Sequence, residues 1–181
     1  YCVDKKPNAV DAIYGRGKTV IAKLDVPEEI CQRVLKSTPK KIHDLNIRKN
    51  LVGSASAVSI GANAHHANML SAIYLATGQD IANIIEGSQG ITTTSLHNGD
   101  LKFYITLPSI IVGTVGGGTK LPRQKANLET LTCQGAGDPI GNNARKLAEI
   151  IAATVLVGEL NLLAVQTNYD ELLKVHEKLE R

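Results

Sequence analysis

The sequence predicts one mixed α/β domain of the α+β kind, on three observations. Lys18 to Val26 alternates apolar and polar residues and leads at once into a helix start; Asn98-Gly99 separates two strand-like runs; and Ala67 to Thr77 is apolar on every side. No repeat or low-complexity linker interrupts this order, so no domain boundary is expected within the chain.

In the first strand, Val20, Ala22, Leu24 and Val26 face inward against Thr19, Lys23 and Asp25, the period of a half-buried strand. Pro27 then suits the first helical position, and Glu28-Glu29 suits the positive end of a helix dipole. Ile30, Val34 and Leu35 form the apolar stripe of that helix, and Pro39 is expected to stop it. Asn46 to Gly53 reads as a loop carrying Arg48 and Lys49, followed by small residues from Gly53 to Ala57 that let backbone approach a ligand closely.

The all-round apolar segment Ala67 to Thr77 is expected to be a buried central helix, because such a helix must be surrounded by other elements. Ile91 to Leu96 and Leu101 to Leu107 flank the turn His97-Asn98-Gly99-Asp100, where Asn-Gly favours the positive φ angles of a tight antiparallel hairpin. Asn142 or Asn143 caps a long helix from Ala144 to about Val165. Thr167 to Asp170 resembles a capping box before a terminal helix that ends near Glu180, with Leu172, Leu173, Val175 and Leu179 on its inner side. His176, four residues after Leu172, is expected on or beside that packed face.

With 181 residues, 43% hydrophobic, 20% charged and net +3, the chain is long enough for a sizeable core and shows no mark of a fibrous or disordered protein. No uncharged apolar run reaches the length of a membrane span, since the segment near Ile150 to Val165 carries Glu159 and a Gly; no signal peptide is evident. Cys2, Cys31 and Cys133 are odd in number and scattered, which fits reduced thiols in a cytosol better than a disulfide framework or a zinc site. The small basic excess, one Phe and no Trp argue against a nucleic-acid partner.

The densest chemical signal is the stretch from Asn63 to Asp80, which sets Asn63, His65, Asn68 and Asp80 at the two ends of the apolar run. Burying such a group without a partner costs on the order of 1 to 3 kcal/mol or more, so each needs a hydrogen bond or a task. Taken alone, these residues are better explained by helix capping than by a site. The other candidates likewise favour a structural reading on their own residues. Lys5-Lys6 after Asp4 reads as solvated surface, the triple glycine after Val115 as an ordinary turn or an anion nest, and His176 as a structural histidine.

Taken together, however, YCVDKKP at the start, NLVGSASAVSIG, NAHHANMLSAIYLATGQD and PSIIVGTVGGGT resemble, in order, the catalytic half of the 3-hydroxy-3-methylglutaryl-coenzyme A (HMG-CoA) reductase family. The resemblance extends from the first residues to the last, and is to the type found in archaea and eukaryotes. It implies NADPH-dependent reduction of HMG-CoA to mevalonate, with NADPH preferred to NADH, in a cytoplasmic enzyme that assembles as a homodimer or higher homo-oligomer. It also implies a large substrate-binding domain with a buried central helix. Because the chain opens on Tyr1 and the likeness starts mid-family, the expectation is the C-terminal part of a longer polypeptide. The preceding half would carry a catalytic glutamate and the small dinucleotide-binding domain, both absent here.

Carried over residue by residue, the resemblance makes Lys5 the catalytic lysine that stabilises charge on the reacting oxygen, held by Asp80. His176 becomes the acid that protonates the departing thiolate, a task suited to imidazole, which titrates near neutral pH. Asp4, Lys6, Lys49, His65, Asn68 and Leu162 would bind the acyl group, Lys36 and Val175 coenzyme A, and Val115, Gly116, Gly117, Gly118 and Arg181 the nicotinamide cofactor. Two departures stand out. SIGANAHH is one residue shorter than the pattern of many relatives, and the spacing from Gly158 to His176 is one residue longer. The rival expectations are a non-catalytic acyl-coenzyme A binding or assembly module and an oxidoreductase acting on another acyl substrate. Lys5, Asp80 and His176 weigh against the first, and Lys6, Lys49 and Asn68 against the second.

Overall fold

The computed structural model describes residues 1–179, the side chain of Val175 excepted. Helices surround one face of a small antiparallel sheet, the α+β arrangement expected. In chain order these are α1 (Ala9–Tyr14), β1 (Lys18–Val26), α2 (Glu28–Arg33), α3 (Pro39–Leu45), a π-helical segment (Asn46–Gly53), α4 (Ser54–Ser56), α5 (His66–Thr77), α6 (Ile84–Gly87), β2 (Ile91–His97), β3 (Asp100–Ile110), α7 (Pro122–Thr130), α8 (Asn142–Gln166) and α9 (Tyr169–Leu179).

The sheet runs β1-β3-β2, so the last strand in sequence lies in the middle. Leu101, Phe103, Ile105 and Leu107 of β3 are fully buried at alternate positions, as a two-residue period requires. The hairpin expected at Asn98-Gly99 forms, with φ of 52° and 90° at those residues and His97 paired to Asp100. Across the buried face lies α8, whose Leu147, Ile151, Val155 and Leu163 are fully buried against β1, β3 and α5. By length and composition α8 is apolar enough to cross a membrane, yet half of its most apolar stretch is buried in this fold, where it serves as the core helix.

Several boundaries differ from the sequence reading for identifiable reasons. Pro27 precedes α2 rather than opening it, and the stripe is led by buried Cys31 while Val34 stays exposed. Pro39 does not end α2. The chain turns at Lys36, in the left-handed region at φ 53°, and Pro39 instead opens α3, where its lack of an N–H is harmless. Asn46 to Gly53 is not a loop but wide helical turns continuous with α3 and α4, a form common at functional sites, with Asn46 and Asn50 buried inside.

The central helix is covered on one side only. Leu70 and Tyr74 of α5 are fully buried, whereas Ala67, Asn68, Ala72, Leu75 and Ala76 are exposed, so its all-round apolarity exceeds what the described residues bury. Gly141, not an asparagine, precedes α8. Asn168 rather than Thr167 caps α9, its Oδ1 accepting from the Glu171 N–H at 3.4 Å. His176 is exposed rather than packed, and Leu173 and Leu179 with it, because α9 extends beyond the end of α8 with little laid over it.

Candidate active site

Several of the residues flagged by the sequence gather at the two ends of α5. At its C-terminal end Gly78 takes the left-handed conformation that closes the helix, and Asp80 then caps a short turn at Ile81 to Asn83. One Asp80 oxygen accepts from Ala82 N–H at 3.1 Å; the other lies 3.2 Å from Lys5 Nζ. Lys5 Nζ is also 3.3 Å from Asp4, so the ammonium sits between two carboxylates, partly open to water. Asp80 first, then Asp4, raises the Lys5 pKa; Arg16 first, then Lys5, lowers that of Asp4. Lys5 and Asp4 therefore stay charged across the neutral range. Lys6 Nζ folds back on the Asp4 carbonyl at 3.0 Å. Lys5 itself occupies the left-handed region at φ 53°, a conformation unfavourable for a residue with a Cβ.

The glycine turn lies against the same end. A Cβ on Gly78 would fall 2.4 Å from the Gly118 carbonyl oxygen and one on Gly118 2.5 Å from that of Gly78, so only glycine allows this approach. Gln79 fastens the two segments, accepting from Gly113 N–H at 2.8 Å and donating to its carbonyl at 3.0 Å. Between them is an open groove of about 370 Å³ lined by Gly78, Asp80, Val115 and the turn from Gly116 to Thr119. Gly116 and Gly117 have positive φ, and nothing lies within 4 Å of where their Cβ atoms would be, which leaves their backbone open to a bound group.

At the other end of α5 the polar groups are buried. Glu159 of α8, fully inaccessible, accepts from Ala64 N–H at 2.6 Å, His65 N–H at 2.9 Å, Thr92 Oγ1 at 2.8 Å and Asn50 Nδ2 at 3.3 Å. His66, also fully buried, meets Thr92 Oγ1 through Nε2 at 3.1 Å, and burial pushes its pKa down to about 4, so its ring is neutral at pH 7. Asn63 acts as a brace: its amide donates to the carbonyls of Ser88 and Gly90, and its oxygen accepts from His66 N–H at 3.1 Å. Asn68 stands exposed on the first turn. Lys49 reaches Gln166 at 2.7 Å from the π-helical segment, with partial loss of hydration lowering its pKa against the pull of Glu159.

Lys5 and Asp80 are thus brought together with the glycine turn, while Lys49, His65 and Asn68 belong to the opposite end of the helix. At 1.5 Å per residue, the 12 residues of α5 separate the two groups by roughly 18 Å. His176 is elsewhere again, on α9, with Nδ1 2.9 Å from the Leu172 carbonyl. The start of α9 is tied to the turn at Lys36, whose carbonyl accepts from Asn168 Nδ2 at 3.1 Å. Leu162 is half-buried on α8. Arg181 lies outside the described residues, as does the side chain of Val175.

Four groups escaped the sequence reading as parts of this arrangement: Arg16, Glu86, Glu159 and His66. A lone carboxylate inside an apolar helical run, as in Ile84-Ile85-Glu86 and Leu156 to Leu160, is the signal that marks the two glutamates. Among the described residues no group of three His, Cys, Asp or Glu side chains is placed to hold a metal ion.

A protein named 3-hydroxy-3-methylglutaryl-coenzyme A reductase from Pyrococcus horikoshii is 55% identical over 181 residues, covering 99% of this chain and 44% of that protein. Its namesake from Haloferax volcanii is 49% identical over 180 residues, with 99% and 44% covered, and that from Cyberlindnera jadinii is 51% identical over 166 residues, with 91% and 18% covered. The chain therefore spans less than half the length of these relatives. The family profile described as hydroxymethylglutaryl-coenzyme A reductase matches residues 1–181, every position of the sequence, and the chain belongs to that family.

Proposed function

We propose that this chain is the C-terminal part of the catalytic large domain of a cytoplasmic HMG-CoA reductase, working in the mevalonate route to isoprenoid precursors. The observation that carries the reading is the Lys5 ammonium held between Asp80 and Asp4 at the edge of the glycine-lined groove. A cation fixed beforehand stabilises an oxyanion without reorganising at the moment of reaction, and its value grows as water is excluded.

The open backbone of Gly116 and Gly117, beside exposed Val115, fits the nicotinamide end of NADPH, with Arg181 as a further contact in the reading. When bound, NADPH supplies the two hydrides. Lys5 holds the negative charge that develops on the thioester oxygen and later on the aldehyde oxygen. Lys6 and Asp4 hold the acyl carboxylate and hydroxyl, with Lys49, His65, Asn68 and Leu162 on the acyl side and Lys36 and Val175 toward coenzyme A. His176 delivers a proton to the thiolate that leaves when the hemithioacetal collapses. The two groups of residues lie at opposite ends of α5, and the exposed apolar side of that helix needs cover. Both point to a homo-oligomer in which one subunit completes the site of another, joined to a preceding half that carries the glutamate.

The intact polypeptide should oxidise two NADPH for each mevalonate formed from HMG-CoA, measured by absorbance and product analysis, while residues 1–181 alone give no turnover. Failure of the intact polypeptide to reduce HMG-CoA would refute the activity. Mevalonate formation by the isolated residues would refute the dependence on a preceding half.

A further inference from the structure

Glu86 lies next to the proposed chemistry and has no part in it, although its side chain is fully buried at the end of α6. Its Oε1 accepts the backbone N–H of Lys5 and, at 2.8 Å, Nη1 of Arg16. Three residues further along each segment the pattern repeats: Gln89 Oε1 accepts the backbone N–H of Asn8 at 3.0 Å. The loop that carries Asp4 and Lys5 is therefore docked at two points of matching spacing. Arg16 then carries the link onward, with Nη2 2.7 Å from Asp4 Oδ1 and its own N–H donating to Ser109 Oγ at 3.0 Å.

The geometry points to Glu86 as the positioning residue of this loop, acting through the Lys5 amide and through the Arg16 bridge to Asp4. The inference rests on the reading of Lys5 as the group that stabilises the oxyanion. A non-glycine residue in the left-handed region is disfavoured by roughly 1 to 2 kcal/mol, so Lys5 keeps that conformation only while its neighbours over-determine it. The Lys5 amide bond to Glu86 does this directly. Arg16 adds a planar fork that meets two carboxylates with two nitrogens, which the point charge of a lysine does not reproduce. Asp4, fixed by that fork, is itself one of the two carboxylates between which the ammonium is held. A charge buried beneath the loop would be costly if its only purpose were stability, since replacing such pairs by neutral groups is often harmless to folding.

The test compares wild type, Arg16→Lys, Glu86→Gln and the double variant Glu86→Gln/Arg16→Gln in the full-length polypeptide. Melting temperature, KM for NADPH, and kcat for both HMG-CoA and mevaldehyde are measured. Arg16→Lys should melt as wild type does yet lose roughly ten- to a hundredfold in kcat on both substrates, the scale of a small misplacement of a reacting group, with KM for NADPH unchanged. The double variant removes both buried charges together; it should recover the stability lost in Glu86→Gln and keep the low kcat. Recovery of kcat along with stability, or an Arg16→Lys enzyme within twofold of wild type, would overturn the inference while leaving the activity intact. A wild type inactive on HMG-CoA would overturn the underlying activity, and this inference with it.

Discussion

The two ends of α5 handle polar groups in opposite ways. At its start a carboxylate with no access to water, Glu159, takes hydrogen bonds from two backbone amides and two side chains and holds the helix entry rigid. At its finish the side chains of Lys5, Asp4 and Asp80 remain partly in water, with Lys5 paired to both carboxylates. Exposed ion pairs contribute little to folding, whereas a buried acceptor whose donors have no other partner contributes a great deal. The first arrangement is therefore a matter of stability. The second is accounted for, on the proposed function, by what its fixed charges do to a ligand.

Removing the buried carboxylate should break the comparison most severely. Glu159→Leu leaves the amides of Ala64 and His65 and the Asn50 amide short of an acceptor, and is expected to destabilise the intact polypeptide by roughly 3 kcal/mol or more in urea unfolding. At the other end the loss should appear in rate and not in stability. Lys5→Ala is expected to lower reduction of both HMG-CoA and mevaldehyde by at least about a hundredfold with an unchanged melting curve. His176→Gln should impair the thioester step and largely spare mevaldehyde, which has no thiolate to protonate; equal loss of both activities in a folded variant would return that histidine to a structural role.

A smaller effect sharpens the contrast through pH. The folded-state pKa of His66 is about 4, against an ordinary value near 6.5, so between those values the unfolded chain binds more protons. Stability from this group is complete above about pH 6.5 and is lost as pH falls toward 4, by roughly 3 kcal/mol in all. Unfolding free energies measured from pH 7 to pH 4 should show that slope in wild type and lose it in His66→Gln.

Much of this was legible in the sequence where a local rule decided the outcome. The alternation of Lys18 to Val26 and the Asn98-Gly99 turn produced the elements expected, and Asp80 is the partner of Lys5 that the resemblance implied. What escaped depends on contacts between distant segments. Nothing local to Ile84-Ile85-Glu86 reveals that an amide 81 positions away requires an acceptor, and nothing local to Pro39 tells whether it ends one helix or begins the next. The wide turns from Asn46 to Gly53 were missed for a related reason, because Asn46 and Asn50 are drawn inward by Thr92 and Glu159, which lie far along the chain.

The contact of Gly78 with Gly118 has a consequence for how this protein can vary. The separation between the acid at Asp80 and the floor of the groove is set by two peptide backbones touching, with no side chain between them as a shim. In a saturation-mutagenesis library selected for the proposed reductase activity, both positions should tolerate no replacement at all, while exposed Val115, which lines the same groove, accepts many. If the groove holds the cofactor as proposed, retuning its preference by directed evolution would proceed through the rim, since the contact of Gly78 with Gly118 offers no adjustable part.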